Sequence, residues 1–526
     1  MTTIETLAEW GAGLELADVP ADVLELARAQ RRSVLGAVAA SSGDAATARL
    51  VGAVAGWAGD GPAPLLTTER TVAVEDALYA AAALSVALDF DDYVAFGHTG
   101  HSAVLTPLLV AAETGTDGGE QLVAQMVANE VEARLGGATL LGPMNGQLWA
   151  FIHAAGAALA AGRLLGLDRE HLAHALAIAL AHPMRATVPG FMAPDSKLLV
   201  AAEPTVAGVR AARLAAAGVT GPLDALDDHR GALAALAYAP IREILGGLGE
   251  GWATRTLCVK PYPGCAYVDT TVDALLETGL GPVDPDDVAE VVVEAGMLTC
   301  GMDALSGPYA AADPPTPVTV TFSIPLNVAI VLLAGRLTEA EVNEAWLAEH
   351  AGALTALRAR VVLRHAPDLT AASAGAFARV LPAAALVREL GVRRLAGAAR
   401  KVRAEHPGAG LGWSDLVGLA RASREGGGEA VRTARRSTRW WRDDALAGFA
   451  MTFPARVEVR LRNGEVRRAS ADVPRGGAGN QSASPASVAR EKLARSGPRL
   501  WGDAGTAAID DAVEADDGKL HSLLGS

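Results

Sequence analysis

The sequence predicts a mostly helical protein with a smaller α+β domain. Three observations carry that expectation. Apolar residues recur at three- and four-residue intervals through the first half of the chain. Half of the residues are hydrophobic but only 4% are aromatic, which suits closely packed small-residue helices better than an aromatic-rich sheet core. Strand-like alternation begins only near residue 255. At 526 residues the chain is too long for one ordinary core, so two domains are expected.

Taken in order, "PADVLELARAQRRSVLGAVAA" opens a helix behind a proline, and "VEDALYAAAALSVALDF", "GEQLVAQMVANEVEARLG", "HAAGAALAAGRLLGLD" and "TVAGVRAARLAAAGV" repeat the helical spacing. Most stop at glycine or at an Asp/Pro cluster, and no strand pattern competes in this half. Beyond it, "VAEVVVEAG" (288–296), "PVTVTFSIP" (317–325) and "ALRARVVLRH" (356–365) read as strands. "ARVEVRLRNGEVRRASADV" (455–473) reads as a hairpin around Asn463-Gly464. Residues 366–448 read as helical, with 14 Lys and Arg against 8 Asp and Glu, and "EGGGE" as a flexible joint. The tail from 476 is a loop leading into short helices. The expected division is a helical domain over 1–253 completed by 476–526, and an α+β lid over 254–475 carrying a basic insertion at about 366–448.

A formal charge of −15 disfavours nucleic acid as a partner, because phosphate binding needs a basic surface. The three cysteines form no CxxC pair, so neither a disulfide framework nor structural zinc is expected. The start, "MTTIETLAEWG", lacks the basic flank and apolar core of a signal peptide. The longest uncharged run, roughly 138–162, holds Asn145, Gln147 and His153 and reads as a buried helix rather than a membrane span. These readings together predict a cytoplasmic protein.

"DFDDYVAFGHTGHS" (89–102) is the densest cluster of reactive side chains. Carboxylates after the end of a helix oppose its dipole, so Asp89, Asp91 and Asp92 belong either to a solvated loop or to a site. His98 and His101 stand three apart; without an HExxH pattern they suit acid–base work better than metal ligation. Lys197 precedes a long small-residue helix, and Lys260 lies where the helical half meets the mixed half, a usual place for a site. "VRTARRSTRWWRDD" places Arg432, Arg435, Arg436 and Arg439 beside Trp440 and Trp441. It reads either as a solvated basic helix packing its tryptophans, or as a docking patch for an acidic carrier protein or the phosphates of a coenzyme A thioester.

The segments "LDFDDYVAFGHTGHSAVLTPLLVAAE", "NEVEARLG", "SKLLVAAEPTVAGVRAARLAAAGVTGP", "KPYPGCAYVDTTVDAL", "FSIPLNVAIVLLAG" and "RVEVRLRNGEVRRASADVPRGGAGN" together resemble the MmgE/PrpD family. That family includes 2-methylcitrate dehydratase, cis-aconitate decarboxylase and iminodisuccinate epimerase. The resemblance implies an enzyme without metal or cofactor, a homodimer, and an all-helical domain with an α+β lid. Asp89 matches the family's first active-site aspartate, Lys197 the lysine before the small-residue helix, and Lys260 the lysine of the Lys-x-Tyr-Pro motif. Tyr93 stands where threonine or histidine is usual. Thr99 falls on a family histidine that His98 or His101 can replace. Gln147 stands at a second active-site histidine, Asp269 at a third, and Leu326 at a lid tyrosine. The 366–448 segment has no counterpart in the family pattern. The expected catalytic set is therefore Asp89, Tyr93, His98, His101, Lys197 and Lys260, with Asn145, Gln147, Tyr262 and Asp269 against the substrate.

Dehydration of a citrate-like hydroxy acid, decarboxylation and epimerisation all develop negative charge beside a carboxylate. Fixed ammonium groups stabilise such charge by several kcal/mol, on the order of 3 per donor. A base at the α-carbon (Asp89 or a histidine) and an acid for a departing hydroxide (Tyr93 or the other histidine) complete the set. The expected activity is a metal-independent lyase acting on a small carboxylic acid. A dehydratase of a citrate-like or alkyl-substituted hydroxy acid is favoured; decarboxylase, isomerase and non-catalytic binding subunit are the alternatives.

Overall fold

The computed structural model describes residues 1–143, 150–405 and 440–525. Helices dominate its first half. Val74–Val86, Gly118–Ala138, Ala150–Leu164 and Leu199–Ala216 pack on one another through fully buried alanine, valine and leucine. Alanine-lined faces allow close helix approach, which explains why so few aromatics are needed. The chain's last helices, Pro485–Ser496 and Pro498–Glu514, return to cover Ala21–Ser41. Arg28 pairs with Asp516 there at 2.5 Å, and Arg32 with Glu514 at 2.7 Å. Among the described residues no helix is long and apolar enough to cross a membrane.

The second half builds a four-stranded sheet in the order Val361–His365, Val288–Ala295, Ala455–Leu461, Val466–Ala471. The first pair is parallel and the others antiparallel, with Val291 opposite Val361 and Val292 opposite Glu458. Asn463-Gly464 makes the hairpin turn, Gly464 at φ +90°. The sheet's inner residues Val291, Val293, Val457 and Val459 join Val272 and Leu275 of helix Ala266–Glu277 in a core that continues into the helical half.

Three expectations change. The 317–325 segment is not a strand but two helices, Pro317–Thr321 and Ile324–Ala334. Thr316 and Ser323 cap them and a proline sits in each first turn, so capping outweighs the β-branched alternation. Within 356–365 only Val361–His365 is strand, preceded by helix Ala351–Arg358. The first half does contain strands: Asp60–Pro64 pairs with Thr71–Val72, and Asp92–Tyr93 pairs with Cys258–Val259. They are too short for alternation to reveal them.

The described part of 366–448 is helical over Pro367–Phe377, Ala383–Glu405 and Asp443–Ala447. It packs largely on the helical half. Arg388 pairs with Glu243 at 2.7 Å, Lys401 lies over the Tyr238 ring, and Trp441 is buried beneath the Arg134 guanidinium. The Arg432–Arg439 patch lies outside the described residues, as do Asn145 and Gln147.

Candidate active site

Helix Val74–Val86 ends against a buried loop that carries Asp89, Asp91 and Asp92. Asp89 adopts φ +52°, the left-handed step that glycine usually supplies after a helix and that aspartate tolerates. The strand pairing of Asp92–Tyr93 with Cys258–Val259 then brings residue 260 beside residue 89.

Lys197 donates to the helix-end carbonyls of Val86 at 3.0 Å and Ala87 at 3.5 Å, and its ammonium meets Asp89 Oδ1 at 3.0 Å. Lys260 donates to the Asp89 carbonyl at 2.8 Å, Asp89 Oδ2 at 3.0 Å and Asp91 Oδ1 at 2.5 Å. The lysines thus cap a helix end whose dipole the aspartates would otherwise aggravate. Each ammonium also has three acceptors within the chain. Burial opposes ionisation of Asp89, but Lys197 and Lys260 outweigh it and hold the carboxyl at about 2. Burial likewise opposes ionisation of Asp91, and His98 and Lys260 outweigh it, holding Asp91 well below its ordinary value.

Asp91 Oδ2 is shared by His98 Nδ1, in a very short contact, and His101 Nε2 at 3.1 Å. An ionised carboxylate only accepts, so both facing nitrogens carry protons. His101 Nδ1 meets the Ser85 hydroxyl at 2.7 Å, which engages both of its ring nitrogens. Burial pulls His101 below the ordinary histidine value, partly opposed by Asp91. His98 differs in place: its side chain is 13% exposed against 2% for His101. The ligand atoms of Asp91, His98 and His101 lie within 4.8 Å of one another, close enough to surround a cation. Such a cation would displace the histidine N–H donors from the carboxylate and sit next to the Lys260 ammonium, so the cluster fits a hydrogen-bonded relay better.

Behind this layer lies a second buried cluster. Ser102 Oγ donates to Glu132 Oε1 at 2.7 Å and meets His153 Nδ1 at 3.0 Å. Burial pushes Glu132 well above the ordinary carboxyl value and His153 well below the ordinary histidine value. The His153 ring stands edge-on to His101 at 5.4 Å. Gly156 makes room for Glu132, since a Cβ there would come within 1.6 Å of Oε1.

The structure therefore brings Asp89, Lys197, Lys260, His98 and His101 together. Tyr93 is buried beside them, its ring 5.7 Å from that of His98, with burial pushing its hydroxyl well above the ordinary value. Asp269 is 1% exposed, and burial keeps it protonated well above the carboxyl range. Tyr262 is expected from sequence to lie against the substrate, and its hydroxyl is engaged within the chain. Its hydroxyl donates to Asp273 at 2.8 Å, and Asp273 also accepts the Arg475 amide at 2.9 Å, so the tyrosine ties two loops together. Leu326 is buried in the apolar core. Sequence reasoning placed Asp91 in the acidic run without linking it to the two histidines it orients, and it missed Ser85, Glu132 and His153 as site residues. The only available signal was the spacing of acids in the 89–92 run.

Two family profiles match the chain: the MmgE/PrpD N-terminal domain over residues 5–242 and the MmgE/PrpD C-terminal domain over residues 262–409. The second match runs into the segment read from sequence as an insertion. A search of the curated proteins returns no significant match. With both domains matched over most of its length, the chain belongs to the MmgE/PrpD family, whose members are generally lyases or related enzymes.

Proposed function

We propose that this site removes a proton beside a carboxylate, and that the chain is a lyase of small hydroxy di- or tricarboxylic acids, with dehydration as the exit step. The observation that carries the reading is the meeting of Lys197 and Lys260 on Asp89, next to an imidazole held by Asp91. Asp89, locked between two ammonium groups, is a poor base and serves as part of a fixed charge array. His98 is the base: Asp91 holds its Nδ1, and its ring is the more exposed of the two histidines. His101, engaged at both nitrogens, positions Asp91. Tyr93 and the protonated Asp269 are the neutral donors available to a departing hydroxide.

An incoming carboxylate competes for Lys197, whose contact to the Ala87 carbonyl is its longest at 3.5 Å. Lys197 and Lys260 are already paired with Asp89 and Asp91, so an added anion is expected to bring a proton with it. Binding of a dicarboxylate such as malate is expected to take up about one proton, read by calorimetry in buffers of different ionisation enthalpy. The reading includes a homodimer and no metal. EDTA is expected to leave the rate unchanged; a rate that returns only on adding a divalent ion overturns the metal-free part.

The test of the reaction class is incubation of pure enzyme with hydroxy di- and tricarboxylates in deuterium oxide. Deuterium uptake at the α-carbon, with or without loss of water, supports the reading. Absence of exchange and turnover across the panel overturns it.

A further inference from the structure

The acidic loop is gripped from a second side. Lys492, on the returning helix Pro485–Ser496, is fully buried. Its amino nitrogen donates to the Phe90 carbonyl, in a very short contact, and to Ser33 Oγ at 3.1 Å, and it lies 3.9 Å from the centre of the Phe90 ring; burial lowers its pKa to about 7. Phe90 is the residue between Asp89 and Asp91. The next carbonyl back, that of Asp89, is bonded by Lys260 at 2.8 Å. Two successive carbonyls of a non-glycine left-handed turn are thus each held by a buried lysine distant in sequence. The helix reaches this depth because residue 36 is glycine: a Cβ there would approach Lys492 Cγ to 2.9 Å and the Leu493 amide to 3.2 Å. A buried ammonium is costly unless its donors are satisfied, and apolar residues would seal this helix contact at less cost.

We propose that Lys492 is a positioning residue for the acid–base site: from the C-terminal helix it fixes the Phe90 carbonyl, and with it the turn that aims Asp89 at the two lysines and Asp91 at the histidines. A left-handed aspartate is held against a cost of order 1 kcal/mol, so a turn released from one side relaxes. Misplacing catalytic groups by about 1 Å lowers rates by about 10²-fold. The catalytic part of the proposal rests on the lyase reading; the structural part does not.

The test compares Lys492→Met and Lys492→Arg with the wild-type chain in two measurements. Amide hydrogen exchange across 86–95 is expected to quicken about tenfold in Lys492→Met, while helix Gly118–Ala138 stays within about twofold of wild type; Lys492→Arg restores most of the protection. The α-deuterium exchange rate at saturation is expected to fall about 10²-fold, with half-saturation changed less than about threefold. Unchanged protection of 86–95, or a uniform rise over the whole chain, overturns the proposal. So does a loss confined to half-saturation. If Lys492→Met does not fold, Lys492→Gln is read by the same criteria. The amide measurement needs no substrate, so failure of the lyase reading and failure of the positioning role are told apart.

Discussion

Ion pairs of similar length occur in two regions of this chain and have different physical standing. On the outer face of the sheet, Arg456 meets Glu294 at 2.8 Å and Arg460 meets Glu290 at 2.7 Å, all with a third or more of the side chain exposed. An open groove of about 570 Å³ runs over Glu294, Arg456 and Arg460, and none of the candidate site residues lines it. In the loop after Val74–Val86, Lys197 and Lys260 meet Asp89 at 3.0 Å with the lysines fully buried and the aspartate 6% exposed. Exposed pairs cost little to form and contribute about 0–1 kcal/mol. Buried pairs carry a desolvation cost of several kcal/mol per ion and are a poor way to stabilise a fold. The proposed function gives the buried lysines and aspartates a use beyond stability, whereas the sheet ladder needs none beyond register and solubility.

The difference can be sharpened by substitution, from large effects to small. Lys260→Met leaves Asp91 short of a partner and Asp89 with one ammonium. It is expected to cost about 3–5 kcal/mol in a denaturant titration and about 10²–10³-fold in exchange rate. His98→Asn leaves the lysine–aspartate pairs intact and is expected to lower the rate about 10²–10⁴-fold, with a smaller change in the denaturation midpoint than Lys260→Met. His101→Asn removes the Asp91 and Ser85 contacts of a residue that only positions the carboxylate, and a smaller loss is expected.

His153 tests the cluster behind the charged loop. Burial keeps its folded value well below the ordinary 6.5, so as pH falls through 6.5 the unfolded state gains a proton first and stability declines towards the folded value. His153→Gln is expected to make that decline shallower by about 1.4 kcal/mol per pH unit. At the other extreme, Arg460→Ala on the sheet is expected to stay within about 0.5 kcal/mol of wild type and to leave the rate untouched. A large loss there would break the comparison from its cheap side.

Much of this was legible in the residues. Helical spacing and scarce aromatics marked the helical half, and Asn463-Gly464 marked the hairpin, because both signals are local. The 317–325 segment misled because Val and Thr alternate there, while its capping threonine and serine and its two prolines specify helix starts. The pairing of Asp92–Tyr93 with Cys258–Val259 was invisible because two-residue strands carry no period. In the site, Asp89, Lys197 and Lys260 stood out through motif resemblance. The choice between His98 and His101 could not be made from a three-residue spacing, since it depends on which ring Ser85 reaches. Lys492 carried no signal at all, because a lone lysine in an amphipathic helix reads as a surface residue until the helix is docked.

The most direct measurement is α-deuterium exchange by the double variant Asp89→Asn with Lys197→Met, which deletes one buried charge pair and leaves Lys260 on Asp91. Asparagine keeps the left-handed turn accessible. The expected result is a chain within about 1.5 kcal/mol of wild-type stability whose exchange rate has fallen at least about 10³-fold. A double variant that exchanges at the wild-type rate would show that the paired charges serve the fold alone, and would contradict the assignment of this loop as the reacting centre.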